Sequence, residues 1–134
     1  MPKISHLYFQ TGIIFLIIGI GMGLQMAISG VHNVTGAHAH LNLLGWVTSA
    51  LFGTYYALNP AKAAGRIPMI QYGVYTLGVA VMIVGLYFLL QGNLAFEPLV
   101  QIGPLVAFAG VLLFAYVVFA PAKTRVSAST AAAE

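Results

Sequence analysis

Residues 35–56, TGAHAHLNLLGWVTSALFGTYY, decide how this chain folds and what chemistry it can carry. The run is apolar and long enough for a membrane-spanning helix, which needs roughly 20 residues at about 1.5 Å rise each. It opens on two histidines, His38 and His40, and no other stretch concentrates comparable ligand chemistry. On a regular helix, positions two apart point about 200° away from each other. Two imidazoles placed this way cannot share one ion, but they can serve two sites on opposite sides of the helix. His38 shares its side with Asn42, Gly45, Ser49 and Phe52, a stripe of mostly small residues with room for a flat macrocycle or for another helix. His40 shares its side with Leu44, Val47 and Leu51, an apolar wall. A haem asks little more of a protein than an axial imidazole and a dry slot.

Working outward from this run, the composition sets the class. The chain has 134 residues, 60% hydrophobic and 5% charged. Four apolar runs of spanning length can be marked, near 7–28, 37–58, 68–90 and 98–120, so the expected fold is an all-α membrane protein, a bundle of four transmembrane helices. Residues 1–120 form a single domain, and the Ala- and Ser-rich segment 121–134 is expected to be a disordered cytoplasmic tail. Ser29-Gly30 and Asn59-Pro60 are the natural stops of the first two helices, Thr35 is a candidate N-cap, and Pro68 suits a first turn. Gly12, Gly19 and Gly23 lie on one stripe of the first helix, where a neighbouring backbone can approach closely. Gly103-Pro104 is a candidate bend in the fourth helix. The apolar run after Lys3 is too long for a signal peptide and reads as a retained first helix.

The net charge of +3 comes from five basic residues scattered over helix ends, Lys3, Lys62, Arg66, Lys123 and Arg125. They make no patch for nucleic acid, but all fall on the side shared by both termini and the middle loop. That side is expected to be cytoplasmic in a multi-pass inner (plasma) membrane protein, with His32, His38, His40 and Glu97 toward the opposite face. The chain has no cysteine, which excludes disulfides, thiolate sites and iron–sulfur clusters and leaves histidine, methionine and carboxylate as ligands.

Most other polar residues have structural readings. His6 and His32 suit interfacial positions, Glu97 suits a helix N-terminus, and Trp46, Tyr55, Tyr56, Tyr72 and Tyr75 suit core or interfacial packing. Gln25 has no assigned purpose. Met22 and Met26, one turn apart, are ordinary packing residues that could also join His32 and the histidine pair around Cu(I). Ionisable side chains inside a span are costly and tend to mark function, so the histidine pair, beside Asn42 and Ser49, carries the functional reading.

The run AHAHLNLLGWVTSALFGTYYAL resembles the haem-ligating helix of haem-copper oxidase catalytic subunits (cytochrome c oxidase subunit I-like), where a His-x-His pair precedes an apolar, glycine-containing helix. It is also similar to the His-x-His helix of membrane haem and copper proteins linked to nitric oxide resistance. In the oxidase family the two histidines ligate two different haems in adjacent pores. The resemblance covers about one helix. The family has about twelve helices in three arcs of four, together with copper-binding histidines and a linked tyrosine that this chain lacks, so dioxygen reduction by this chain alone is not expected. Three copies of a four-helix chain would reproduce the twelve-helix layout, and the resemblance implies a homotrimer with equivalent pores.

The expectation is a b-type haem held between His38 of one protomer and His40 of the next, with Asn42, Gly45 and Ser49 beside it, in an electron-transfer protein. Quinol or a periplasmic carrier is the candidate partner, although no quinone motif is visible. The alternatives are a gas-binding haem site for O2 or NO, a copper-binding protein, and a cofactor-free assembly factor of a respiratory complex.

Overall fold

The computed structural model describes residues 1–122. The expected disorder of the tail, with Lys123 and Arg125, falls outside the described residues from 123 onward. Every regular element among the described residues is helical. Helix α1 is Lys3–Ser29. Helix α2 is a continuous rod of three segments, α-helical Thr35–His40, π-helical Leu41–Thr48 and α-helical Ser49–Leu58. Helix α3 is Ile67–Leu89, and α4 is Glu97–Phe119 after a short 3-10 turn, Leu94–Phe96.

The helix ends have local causes. Gly30 takes φ 70°, and its N–H reaches Met26 O, the left-handed close that glycine permits without strain. Asn59 Nδ2 donates to Tyr55 O at 2.9 Å, with Pro60 beyond it. Helix α1 begins earlier than the apolar run suggests, because the polar turn around Ser5 is anchored: Ser5 Oγ donates to Gly53 O at 2.7 Å. Thr35 is not the N-cap of α2. It is already helical, and its hydroxyl donates to His32 O at 2.8 Å instead of accepting an orphan N–H, while Val34 holds the cap position. Helix α4 runs through Pro104 to Phe119, losing a ladder bond but not its continuity.

Two antiparallel pairs build the molecule. In α1/α2, partners run in one register: Tyr8 beside Gly53, Gly12 beside Ser49 and Trp46, Phe15 beside Gly45, Gly19 beside Asn42, and Gly23 beside His38. The glycine stripe of α1 is therefore where α2 lies. In α3/α4 the register is Tyr75 to Gly110, Gly78 to Ala107, Met82 to Gly103, and Gly85 to Leu99 and Val100. The pairs are joined by an aromatic core in which Phe114 packs on Phe52, ring centroids 4.0 Å apart and planes tilted by 30°. Buried Gln71 binds this core with one amide, its Oε1 accepting from Tyr8 OH at 2.6 Å and from Tyr56 OH at 3.2 Å.

Three helical stretches, Lys3–Ser29, Ile67–Leu89 and Leu94–Phe119, are long and apolar enough to cross a membrane, with mean hydropathies of 2.1, 1.9 and 2.4. Large apolar side chains such as Ile17, Leu51 and Phe108 remain exposed on the outer faces, the pattern of a chain whose solvent is lipid. The described residues are all-helical, and their long apolar helices fit a membrane protein.

Candidate functional site

His38 and His40 lie in the last turn of the first segment of α2, just before the π-helical stretch. Because this turn is regular, the two imidazoles diverge as the periodicity requires. His38 is half-buried against α1, and a methyl added to Gly23 would lie 3.0 Å from its Cε1. His40 is exposed on the opposite side, above Val47 and Leu51, which are exposed as well.

The two rings share one hydrogen-bond logic. His38 Nδ1 stands 2.6 Å from Gly19 O, and His40 Nδ1 stands 2.7 Å from Gly36 O. A carbonyl oxygen can only accept, so each Nδ1 carries a proton and donates it. In the neutral ring the lone pair then resides on Nε2. That is the tautomer of a metal-binding imidazole, held by a backbone carbonyl on its far nitrogen.

The Asn42 amide nitrogen lies 3.4 Å from both nitrogens of His38. Equal separation places it beside Cε1 or over the ring face, off the Nε2 lone-pair axis. Among the described residues, neither Nε2 has an in-line partner. The Asn42 Oδ1 is buried without a hydrogen bond, pressed against Gly19.

The stripe below His38 is closed within the chain. Gly45 is covered by Phe15, and Ser49 is buried against Gly12. Of the two occupants the sequence allowed for that stripe, the single chain holds a helix. The π-helical stretch was not foreseen, and its loosened ladder is held by side chains: Leu43 O accepts from Thr48 Oγ1 at 2.9 Å, and Leu44 O accepts from Tyr75 OH at 2.8 Å. Such stretches are frequent at functional sites.

No protein-family model, curated protein or solved structure matches this chain.

The remaining candidates lie on α1 and in the loop that follows it. Met22 and Met26 are buried, and the Met26 sulfur lies 3.6 Å from the Thr35 hydroxyl oxygen. His32 is exposed, with its Nδ1 3.2 Å from Gly30 O. Among the described residues, no three His, Cys, Asp or Glu side chains gather as they would around a metal ion. A groove of about 550 Å³ between α1 and α3 is lined by Phe15, Met22, Leu41, Ile83 and Tyr87 among others, and neither histidine of the pair borders it.

Sequence reasoning missed the two carbonyls that orient the imidazoles. For one of them the glycine stripe of α1 was the signal: the spacing that carries Gly12, Gly19 and Gly23 along one side also brings the Gly19 carbonyl to the His38 ring.

Proposed function

We propose that this chain is a b-type haem protein of the membrane that transfers electrons, assembled as a homotrimer of four-helix protomers spanning the inner membrane with both termini cytoplasmic. His38 Nε2 of one protomer and His40 Nε2 of the next would hold its iron. The supporting observation is the pair of free Nε2 lone pairs, each fixed by its own Nδ1–H to carbonyl bond and directed to opposite sides of α2. Divergent ligands on one helix cannot close a site within one chain, and cyclic symmetry lets each protomer supply one half to each of two different sites.

The donor set suits such a group by its tautomer and its number, while the face beneath His38 is filled by α1. Bound haem supplies a one-electron centre, and two imidazoles favour a low-spin iron whose ligands stay in place as the electron passes. Gly45 and Ser49, shut against α1, serve the packing beneath His38, while Asn42 steadies its ring. Val47 and Leu51 on the His40 side offer apolar surface to the neighbouring chain. The continuous α2 rod is the fourth crossing, completed by the π-helical segment that joins its two α-helical parts. Lys3, Lys62 and Arg66 at the opposite end from the histidines fit a cytoplasmic face. Quinol or a soluble carrier at the histidine end is the electron partner.

The test is a reduced-minus-oxidised absorption spectrum of detergent-purified protein, with haem content per chain and the mass of the assembly. Sharp b-type bands, one haem per protomer and a trimer mass are expected. The double variant His38→Ala/His40→Ala should be colourless, and His6→Ala should match the parent. A colourless parent protein at full haem supply refutes the reading.

A further inference from the structure

We propose that the groove between α1 and α3 is a binding site for an isoprenoid quinone, with the quinone ring at the Gln25–Tyr87 pair and the tail lying along the groove toward the middle of the membrane. This deepens the proposed function by giving its quinol partner a site, and rests on that reading only for the partner's role. The groove itself needs no iron.

The groove lies where one helix pair meets the other. On α1 its wall is the stripe Phe15, Ile18, Met22 and Gln25, spaced three and four apart and so on one side of the helix. Its hollow comes from small residues: nothing lies within 4 Å of a methyl added to Gly21, and Ala80 lines the α3 side. The volume of about 550 Å³ falls in the range of small-molecule sites, roughly 300–1,000 Å³. From Phe15 to Gln25 the helix rises about 15 Å, half of a hydrocarbon core of roughly 30 Å. Helix α1 ends at Ser29 and α3 at Leu89, so Gln25 and Tyr87 lie within about one turn of the helix ends while Phe15 and Ala80 lie deep. The groove has the depth of one leaflet, with its polar end outward.

That polar end suits an oxygen-bearing ring. Tyr87 OH donates to Gln25 Oε1 at 3.1 Å, and among the described residues the Gln25 amide nitrogen has no hydrogen-bond partner. An amide N–H beside a phenolic oxygen can donate to a carbonyl and accept from a hydroxyl, the oxygen functions of a quinone and of its quinol. Phe88, 40% exposed and stacked on Phe96 with ring centroids 4.6 Å apart, offers an aromatic face beside them. Charge selects against an anionic lipid. Lys3, Lys62 and Arg66 lie at the opposite end, and Glu97 follows Phe96 directly, so a phosphate head would meet a carboxylate and no Lys or Arg. A neutral head has no such penalty. Binding alone is assigned here, with no bond made or broken.

The experiment uses detergent-purified protein with decylubiquinone as the probe. The chain has no cysteine, so Gly21→Cys places a single thiol in the groove, where there is room for it. Decylubiquinone should slow alkylation of that thiol by N-phenylmaleimide, and the effect should saturate. It should not slow alkylation of Gly73→Cys, on α3 outside the groove and equally open. Adding Tyr87→Phe or Gln25→Leu to Gly21→Cys should weaken the protection about 5- to 10-fold, the effect of one lost hydrogen bond. Helical circular dichroism and an unchanged elution volume confirm that each variant is folded. Equal protection of both thiols is partition into the micelle and overturns the site. Protection that survives both head-end variants removes the ring from that end. Equal protection by phospholipid makes the groove a seat for acyl chains, and a thiol that stays unreactive without quinone means that another copy of the chain covers it; either result overturns the proposal. Saturable protection in a colourless protein keeps the quinone site and refutes the haem reading, and a coloured protein without protection does the reverse.

Discussion

The two helix pairs use glycine for opposite purposes. In α3/α4 the glycines bring backbone to backbone: a methyl on Gly78 would meet the Ala107 main chain, one on Gly103 would lie 2.5 Å from Met82 N, and one on Gly110 would lie 2.6 Å from Tyr75 Cα. In α1/α2 the glycines of α1 instead receive side chains, Trp46 on Gly12, Asn42 on Gly19 and His38 on Gly23. The first pair is a packing device, since without a hydrophobic drive inside lipid, close van der Waals approach holds helices together. The second trades some of that approach for seats in which polar rings can be oriented. The same residue type therefore brings main chains together in one half of the molecule and seats side chains in the other.

The largest effect should come from breaking the scaffold. Gly78→Ala should destabilise the protein by about 3 kcal/mol, because the obstructing atoms belong to a main chain that cannot rotate away. Thermal unfolding in detergent measures it, with Gly73→Ala on the same helix as the control. Nothing lies within 4 Å of a methyl there, so that variant should gain about 0.5–1 kcal/mol from replacing a mid-helix glycine. If the two behave alike, the backbone-contact account of α3/α4 is wrong.

Gly19→Ala sharpens the contrast from the other side. Its methyl would meet the Asn42 side chain, which can turn aside, so the stability loss should be nearer 1 kcal/mol. Under the proposed haem function its haem content should fall steeply all the same, because Asn42 and the Gly19 carbonyl together hold the His38 ring. A full haem complement in Gly19→Ala would separate α1 from the site.

The smallest effect belongs to the end remote from the histidines. Lys62 Nζ donates to Val117 O at 2.9 Å, Val118 O at 3.1 Å and Ala120 O, closing the C-terminus of α4 where a cation suits both the free carbonyls and the helix dipole. Lys62→Met should lower stability by about 1 kcal/mol or less and leave the haem spectrum unchanged. A spectral change would mean that the two halves are more tightly coupled than their separate registers suggest.

Much of this was legible in the chain itself. The apolar runs announced helices long enough to cross a membrane, Gly30 and Asn59-Pro60 announced where two of them stop, and the two-residue spacing of His38 and His40 announced their divergence. These are properties of a helix taken alone, set by its period and by the backbone freedom of single residues, so one sequence suffices to read them. The ladder of α2 was not legible. LNLLGWVT has no proline or helix-breaking pair to mark a π-helical stretch, and one of its carbonyls, Leu44 O, is met by a hydroxyl, Tyr75, arriving from another helix. Nor could the occupant of the stripe under His38 be read, since a row of small residues suits a macrocycle and a helix equally until a neighbour takes the space. The proton position on His38 was decided in the same way. Which nitrogen keeps the lone pair depends on the Gly19 carbonyl, nineteen residues away in the chain and one hydrogen bond away in space. Periodicity fixed the directions of the two imidazoles, and tertiary contact alone fixed what each ring touches and which of its nitrogens is left free.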